Sequence, residues 1–218
     1  MRLVKTALAA SLLALALPSF ANVVLNFDDL ADATKVGNAY SSKGFDFLGD
    51  GYVFGSADKG GSGNYFNNPS SPNALGLFGT NGNSSVIINV ANGFGTWFKA
   101  ALTERNNNIG EISVYSGLNG KDAQGGNSTL AHLSYTGMVD GASGCGAGAL
   151  CNWINNSLSF SGVAYSVKIT GGNLLAFFDN LDFGDKPGGN TRLPEPAGLA
   201  LAVSALGLAA AARRRRQA

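Results

Sequence analysis

The sequence feature that most limits the fold is the alternation of short apolar or β-branched runs with loops rich in glycine and asparagine. Between the two ends of the chain, no stretch sustains the 3.6-residue period of an amphipathic helix. Asn-Gly and Gly-Gly pairs separate the runs, and such pairs favour turns that need a positive φ. The sequence therefore predicts an all-β domain.

Eleven runs are candidate strands, and most of them are five to ten residues long: 23–27, 45–48, 52–55, 74–78, 85–91, 95–102, 110–116, 129–135, 157–160, 164–170 and 174–183. Strands of this number and spacing predict a two-layer β-sandwich of the jelly-roll type. A curled barrel is the structural alternative. Residues 55–73 are predicted to form a long loop.

Strand alternation also assigns side chains to faces. Phe98, Ala100 and Leu102 are predicted to face the core, with Ile112 and Val114 opposite them in the next strand. A hairpin with a polar tip at residues 105–108 would join these two strands. The other face would then carry Trp97, Lys99, Thr103, Ser113 and Tyr115.

The N-terminus has the features of an export signal. Arg2 and Lys5 precede an apolar core at residues 6–17, and small residues stand at Ser19 and Ala21. This pattern predicts a signal peptide over residues 1–21, cut after Ala21 by signal peptidase. A retained N-terminal anchor is the alternative, although the apolar core is short for a membrane span.

Residues 194–218 combine three further features. Pro194, Glu195 and Pro196 interrupt secondary structure, because proline lacks an N–H and forces the preceding residue to be extended. Residues 197–212 are uncharged and rich in alanine, and as a transmembrane helix they would reach about 24 Å, short of a hydrocarbon core of about 30 Å. Basic residues stay on the cytoplasmic side of a membrane, and they follow here as Arg213, Arg214, Arg215 and Arg216. The segment is predicted to hold the chain in the membrane temporarily; an ordinary tail anchor and a nucleic-acid-binding arginine block are the alternatives.

In order and spacing, these three features resemble the PEP-CTERM sorting signal of Gram-negative bacteria. The resemblance implies that an exosortase, a membrane protease-transpeptidase, processes the chain while the chain is held in the inner membrane as an intermediate. It also implies delivery to the cell surface or to an exopolysaccharide matrix. The start of the signal is similar to the Leu-Pro-x-Thr-Gly signal of Gram-positive sortases too, but Pro196 stands where a sortase requires threonine.

The charge of the chain is divided between its ends and its body. Six of the fifteen basic residues belong to the two end signals, whereas thirteen of the fourteen acidic residues lie in residues 22–193. That body therefore carries nine basic and thirteen acidic residues, a net charge of −4. Such a body is no candidate for binding nucleic acid. It is long enough for one domain, predicted at residues 22–184, with a flexible linker at 185–193.

The two cysteines, Cys145 and Cys151, stand six residues apart in a glycine-rich segment. In an oxidising periplasm they are predicted to form a disulfide. A loop this short is expected to add no more than about 2 kcal/mol of stability. A metal site would need further cysteine or histidine nearby, and the segment has none.

Acidic residues stand near both ends of the predicted domain. The arrangement resembles carbohydrate-binding and related secreted sandwiches, in which the first and last strands are neighbours and their acidic residues hold a structural calcium ion. The resemblance implies Asp28, Asp29 and Asp179 as oxygen ligands. The alternative is that Asp28 and Asp29 begin a turn and that Asp179 only follows strand alternation.

Aromatic side chains on a surface can stack against sugar rings while amides and carboxylates bind the hydroxyls. Tyr65, Trp97 and Tyr115 are the candidates for such a platform, although aromatic residues of β-proteins often pack in the core. Catalytic residues are not predicted. The histidine His132 is flanked in strand alternation by Leu130 and Ser134, and the sequence has no nucleophile elbow. Glu104 and Glu111, nominally a glycosidase pair, fit a solvated hairpin end better.

Together these features predict an exported surface or extracellular-matrix protein with a structural or adhesive β-sandwich that binds exopolysaccharide, as in a biofilm matrix. A polysaccharide-active enzyme is one alternative. A purely structural matrix component without a ligand is the other.

Overall fold

The computed structural model describes residues 23–79, 83–105, 109–135, 145, 149–172 and 174–185. The predicted signal peptide, the sorting motif from Pro194 to Pro196, the C-terminal helix and the four arginines from Arg213 onward lie outside these residues and stay predictions. Among the residues described, no helix has the length and apolar character needed to cross a membrane.

The described residues confirm the all-β prediction, because their regular structure consists of strands and two single-turn 3₁₀ helices, Ser41–Lys43 and Ala57–Lys59. The strands, in chain order, are β1 (Val23–Leu25), β2 (Thr34–Lys35), β3 (Phe45–Gly49), β4 (Gly51–Gly55), β5 (Asn73–Leu77), β6 (Asn83–Glu104), β7 (Glu111–Tyr115), β8 (Ala131–Ser134), β9 (Ile154–Gly172) and β10 (Ala176–Phe183).

Two long strands, β6 and β9, run through both layers of the sandwich. The first half of β6 pairs with β3 and its second half pairs with β10, while β9 follows β6 along both halves. Layer 1 therefore has the order β2-β4-β5-β10-β6-β9, with β1 also on β10, and contains the second half of β6 and the first half of β9. Layer 2 has the order β3-β6-β9-β7-β8 and contains the other halves.

The hydrophobic core fills the space between these layers. Rings from opposite layers meet there: Phe45 lies 4.8 Å from Phe183, and Tyr135 lies 5.6 Å from Phe178, measured between ring centroids. The five residues predicted to face the core are all buried, namely Phe98, Ala100, Leu102, Ile112 and Val114. Burying each large apolar side chain contributes about 1.5–3 kcal/mol, so this layer contact is the main source of stability.

The predicted pairing of the strands needs correction. β6 and β7 are not hairpin partners, because β9 lies between them: Ile112 pairs with Ile169, which pairs with Val86. The runs predicted as separate strands at 85–91 and 95–102 form the single strand β6. Register shifts at Asn89–Phe94 and Gly95–Trp97 bend this strand without ending its ladder. The predicted neighbourhood of the first and last strands is confirmed by the β1–β10 pairing.

A second hydrophobic cluster lies on the outer face of layer 1. Its buried members come from β4, β5, β10 and two covering segments: Phe54, Tyr65, Ala74, Leu150 and Phe177. Tyr65 and Leu150 form a parallel β-bridge, and the Phe66 N–H donates to the Leu150 carbonyl at 2.7 Å. The long loop after β4 is thus held against the sheet by Leu150, which directly precedes Cys151.

The predicted disulfide between Cys145 and Cys151 is confirmed. Leu150 lies within the loop that this disulfide closes, so the cross-link is directly next to the bridge between Leu150 and Tyr65. All described strands and both hydrophobic clusters lie within the compact unit Asn22–Pro187.

Candidate functional site

Part of the outer face of layer 1 is not covered by the described loops, and a row of residues crosses it on four neighbouring strands. Val24 of β1 pairs with Asp182 of β10, which pairs with Lys99 of β6, which pairs with Ser157 of β9. Their neighbours along the strands face the core, so alternation directs these four side chains outward. Lys99 and Ser157 are exposed, and Val24 is 49% exposed.

An open groove of about 460 Å³ follows this row. Its lining residues are Val24, Lys99, Ala100, Ala101, Asn155, Asn156, Ser157, Asn180 and Asp182. An amide or hydroxyl can donate and accept hydrogen bonds, an ammonium only donates, and an ionised carboxylate only accepts. The groove therefore brings several kinds of hydrogen-bonding group to one surface.

A bulge in β10 shapes one wall of the groove. Asp179 pairs with Ala101 and Asp182 pairs with Lys99, so Asn180 and Leu181 together lie opposite a single β6 residue. Asn180 takes a positive φ of 50°, which asparagine tolerates better than most residues. The bulge turns Leu181 into the core and leaves Asp182 on the groove side.

Trp97 borders the groove two residues before Lys99 on the same face of β6. It is partly buried, and the Lys99 Nζ atom lies 4.0 Å from the centroid of its ring, within cation–π distance. The ring packs over Gly184, where an added Cβ would lie 3.0 Å from Trp97 Cδ2 and 2.2 Å from the Gly95 carbonyl oxygen. Trp97 and Lys99 thus position each other at the end of the groove.

Only one of the three residues predicted as an aromatic platform lies on this surface. Tyr65 is fully buried and its hydroxyl donates to the Phe54 carbonyl, because the long loop folds back onto layer 1. Burial raises the pKa of the Tyr65 hydroxyl. Tyr115 is only 8% exposed and pairs with Ser166 in layer 2. Tyr65 and Tyr115 are therefore removed from the predicted platform, and Trp97 remains.

Asp179 anchors the long loop from beneath. Its side chain is fully buried and accepts hydrogen bonds from the Ser70 hydroxyl at 2.7 Å, the Ser70 N–H at 2.8 Å and the Asn180 N–H at 2.7 Å. Burial raises the pKa of Asp179 to about 6; the donors from Ser70 oppose that rise, and the charge of Asp28 adds to it. Asp28 accepts from the Asn73 N–H at the end of the same loop, at 2.9 Å.

Asp29 is engaged elsewhere. It accepts a hydrogen bond from the Tyr40 hydroxyl, and its other oxygen lies 3.2 Å from Lys43 Nζ. The hydrogen bond from Tyr40 and the contact with Lys43 hold the pKa of Asp29 below its ordinary value. In the part of the chain that the structure describes, no group of three Asp, Glu, His or Cys side chains could hold a metal ion. Asp28, Asp29 and Asp179 each accept hydrogen bonds from different partners, and a calcium site formed by them stays a prediction.

The residues weighed for catalysis do not converge either. Glu104 is buried and pairs with Ala176, whereas Glu111 is exposed on β7 and pairs with Thr170. The predicted meeting of Glu104 and Glu111 at a hairpin end is wrong, because β6 and β7 are not adjacent. His132 is exposed on β8 and pairs with Ser113.

Sequence reasoning missed most of the groove. It placed Lys99 beside Trp97, but it did not join them to Asp182 of β10 or to Asn155 and Ser157 of β9. One signal was available: Ser157, Ser159 and Ser161 alternate with the apolar residues Leu158 and Phe160 and predict a polar outer face.

No protein-family profile matches the sequence, and no curated protein matches it. Among solved structures, the chain is similar to the K2 cleaved adhesin domain of Lys-gingipain, with 14% identity, a TM-score of 0.49 and coverage of 75% of this chain and 97% of that one. The K1 cleaved adhesin domain of Lys-gingipain from Porphyromonas gingivalis W83 has 10% identity, a TM-score of 0.44 and coverage of 76% and 99%. The structure of TmCBM61 in complex with β-1,4-galactotriose has 14% identity, a TM-score of 0.35 and coverage of 72% and 100%.

Proposed function

We propose that this chain is an exported surface or matrix protein whose β-sandwich binds polysaccharide in the groove beside Trp97. The observation that carries the proposal is the combination of an aromatic ring with amide, hydroxyl, ammonium and carboxylate groups on one open sheet face. A sugar has groups that match these, because a pyranose has an apolar face that can stack on an aromatic ring and hydroxyls that can hydrogen-bond to polar side chains.

Each group has a definite part in this proposal. Asp182 would accept hydrogen bonds from sugar hydroxyls, Lys99 would donate to them, and Asn155 and Asn180 would do both. Trp97 would contact an apolar sugar face next to these groups. An open groove can accept an internal segment of a long polymer, since neither end of the polymer has to fit inside it.

Binding is favoured over hydrolysis by the acidic groups at the groove. Asp182 is the one carboxylate among the described lining residues. Most glycosidases need two carboxyl groups on either side of the scissile bond. A purely structural matrix component without a ligand is the remaining alternative, and a complete lack of polysaccharide binding would favour it.

Export and sorting complete the proposal. The signal peptide would bring the chain across the inner membrane, and an exosortase-type enzyme would process it near Pro194, Glu195 and Pro196. The disulfide between Cys145 and Cys151 supports an oxidising destination, because disulfides persist mainly outside the cytosol. The sorting step is tested by expressing the chain with and without the four C-terminal arginines, followed by fractionation and C-terminal mass analysis. A mature protein that keeps its apolar segment would leave an ordinary tail anchor.

The groove is tested with the unit Asn22–Pro187 and a panel of immobilised bacterial polysaccharides. Trp97→Ala and Asn155→Ala are each expected to weaken binding roughly tenfold or more, which corresponds to about 1.4 kcal/mol. Gln124→Ala, on an exposed loop, is the matched control and should bind like the wild type. Thermal melting confirms that the variants are folded. Binding that survives both groove substitutions would move the site elsewhere on the domain.

A further inference from the structure

Layer 1 ends in an open strand edge. Residues 154–159 of β9 pair with β6 on one side. β7 pairs with β9 only from Ser166 onward, so it does not cover this part of the strand. In the described chain, no backbone hydrogen bond reaches the other side of residues 154–161. A row of N–H and C=O groups is therefore available for a further strand.

Over residues 154–159 the edge carries none of the usual protections against pairing, and a bulge at residues 160–162, opposite Thr96, ends this stretch. Natural edge strands are blunted by charged side chains, by proline, by bulges or by short length. Residues 154–161 have the sequence Ile-Asn-Asn-Ser-Leu-Ser-Phe-Ser, which holds no charge and no proline. The side chains of Asn155, Ser157, Ser159 and Ser161 are all exposed.

The other described edges are shorter or covered. β2 has two residues, one of them Lys35, and β1 has three. At the edge of β3, the Phe47 N–H already donates to the Gly37 carbonyl at 2.8 Å. β8 has four residues. The first half of β9 is therefore the longest unprotected edge among the strands described.

We infer that residues 154–159 of β9 pair antiparallel with the same segment of a second copy of this chain. An antiparallel pair of identical strands has two-fold symmetry, so one surface is complementary to itself. Small neutral side chains would face each other across the pair, and serine hydroxyls and asparagine amides form favourable cross-strand contacts. The body of the protein has a net charge of −4, so an uncharged strand is where two copies approach with little repulsion.

The pairing would join the two copies of layer 1 into one continuous sheet. Asn155 and Ser157 line the groove of each copy, so the two grooves would lie next to each other across the two-fold axis. This inference does not depend on sugar binding, because it rests on the backbone edge alone. If the grooves bind polysaccharide, the dimer would hold two sites on one polymer and gain avidity.

The test is sedimentation of the unit Asn22–Pro187 over a wide concentration range. The wild type is expected to form a reversible dimer. The double variant Ser159→Lys with Ser161→Lys would place four positive charges at the joined edges, and the dimer should dissociate at least tenfold more readily. Neither residue lines the groove, but Ser159 pairs with Trp97, so sugar binding is compared in the single variant Ser161→Lys, which reports separately on the proposed function. Gln124→Lys adds a positive charge on a distant exposed loop and should leave the dimer intact.

Hydrogen exchange gives a second readout that needs no substitution. Amides within residues 154–159 are expected to become more protected as the wild-type concentration rises, while those of β8 should not change. A monomer at every concentration would overturn the inference. So would a dimer that the Ser159→Lys and Ser161→Lys variant leaves unchanged, or exchange at residues 154–159 that does not depend on concentration.

Discussion

Ser70 donates two hydrogen bonds to the carboxylate of Asp179, one from its hydroxyl at 2.7 Å and one from its backbone N–H at 2.8 Å. The residues are 109 positions apart, and they connect the long loop after β4 to the bulge in β10. Because Asp179 is fully buried, this pair fixes the loop over the outer face of layer 1. The loop in turn covers the second hydrophobic cluster.

Replacing Ser70 with alanine should destabilise the domain. The variant keeps the backbone hydrogen bond but leaves one oxygen of a buried carboxylate without its hydroxyl donor. We expect a loss of about 1–3 kcal/mol in the free energy of unfolding, measured by urea denaturation. Ser161→Ala, at an exposed position, is the matched control and should change stability by less than about 0.5 kcal/mol. Equal stability of the two variants would mean that the Ser70 hydroxyl does not hold the loop.

The contribution of Asp179 to stability should fall as pH rises. The pKa of Asp179 is about 6 in the folded domain and its ordinary value is 3.8, so the folded state binds the proton more tightly. This contribution is fully present below about pH 4 and is lost as pH rises through 6, with a maximum of about 3 kcal/mol. Asp179→Asn should remove that part of the pH dependence, measured as the free energy of unfolding between pH 4 and 7.

Asp32, which lies between β1 and β2, provides a contrast because it accepts hydrogen bonds from the same long loop. Desolvation, the largest effect on Asp32, raises its pKa, but hydrogen bonds from Ser62 and from the Gly55 N–H together hold the pKa below its ordinary value. Its contribution to stability should therefore be present above about pH 4 and be lost in acid.

Adding calcium gives a further test of Asp179, because an ion bound at Asp179 would keep that carboxylate ionised. A rise in melting temperature with calcium, together with a reversed pH dependence, would support the predicted ion; no response to calcium or to a chelator would oppose it.

Removing the disulfide should loosen the cover of the second hydrophobic cluster. The double variant Cys145→Ser with Cys151→Ser is expected to lose about 2 kcal/mol, because a short cross-linked loop removes little entropy from the unfolded chain. The Phe66 amide, which donates to Leu150, should also exchange faster in this variant. The wild type treated with a reductant should behave like the variant, and the variant should not respond to reductant. An unchanged exchange rate at Phe66 would show that the disulfide does not hold the cover of the second hydrophobic cluster in place.

Replacing Thr96 with glycine should stabilise the domain. Its φ of 66° lies in the left-handed region, which is unfavourable for a β-branched residue. Thr96→Gly should therefore raise the free energy of unfolding by about 1 kcal/mol. Thr34→Gly, on exposed edge strand β2, is the control and should lower it by about 0.5–1 kcal/mol. A Thr96→Gly variant that is less stable than the wild type would show that no strain is relieved at this bend.

The two faces of a single strand could be predicted because side chains alternate between them with a period of two residues, a pattern that is visible in the local sequence. Phe98, Ala100 and Leu102 face the core as predicted, and Trp97 and Lys99 face outward. The pairing of strands could not be predicted in the same way. β6 does not pair with β7, its neighbour in sequence, but with β9 and β10. The burial of apolar faces between distant parts of the chain determines these partners.

The groove depends on that long-range pairing. Asp182, Asn155 and Lys99 come from three strands that are far apart in sequence, so no local pattern could assemble them. Bulges were a second obstacle. The residue type at Thr96 does not predict a positive φ. At Asn180 the residue type does indicate one, because asparagine tolerates this conformation. The burial of Tyr65 followed from the path of the long loop, which its glycine-rich sequence does not specify.

The ladder between Val24 and Asp182 also affects the order of folding. The first strand finds its partner only when the last strand is available, 158 residues later. Such distant contacts slow folding, because the chain must close a long loop before it gains the contact. A chain that is synthesised or threaded from its N-terminus therefore stays open on the groove face until almost all of the domain has emerged. The groove is one of the last features to form, and a truncated chain would never complete it.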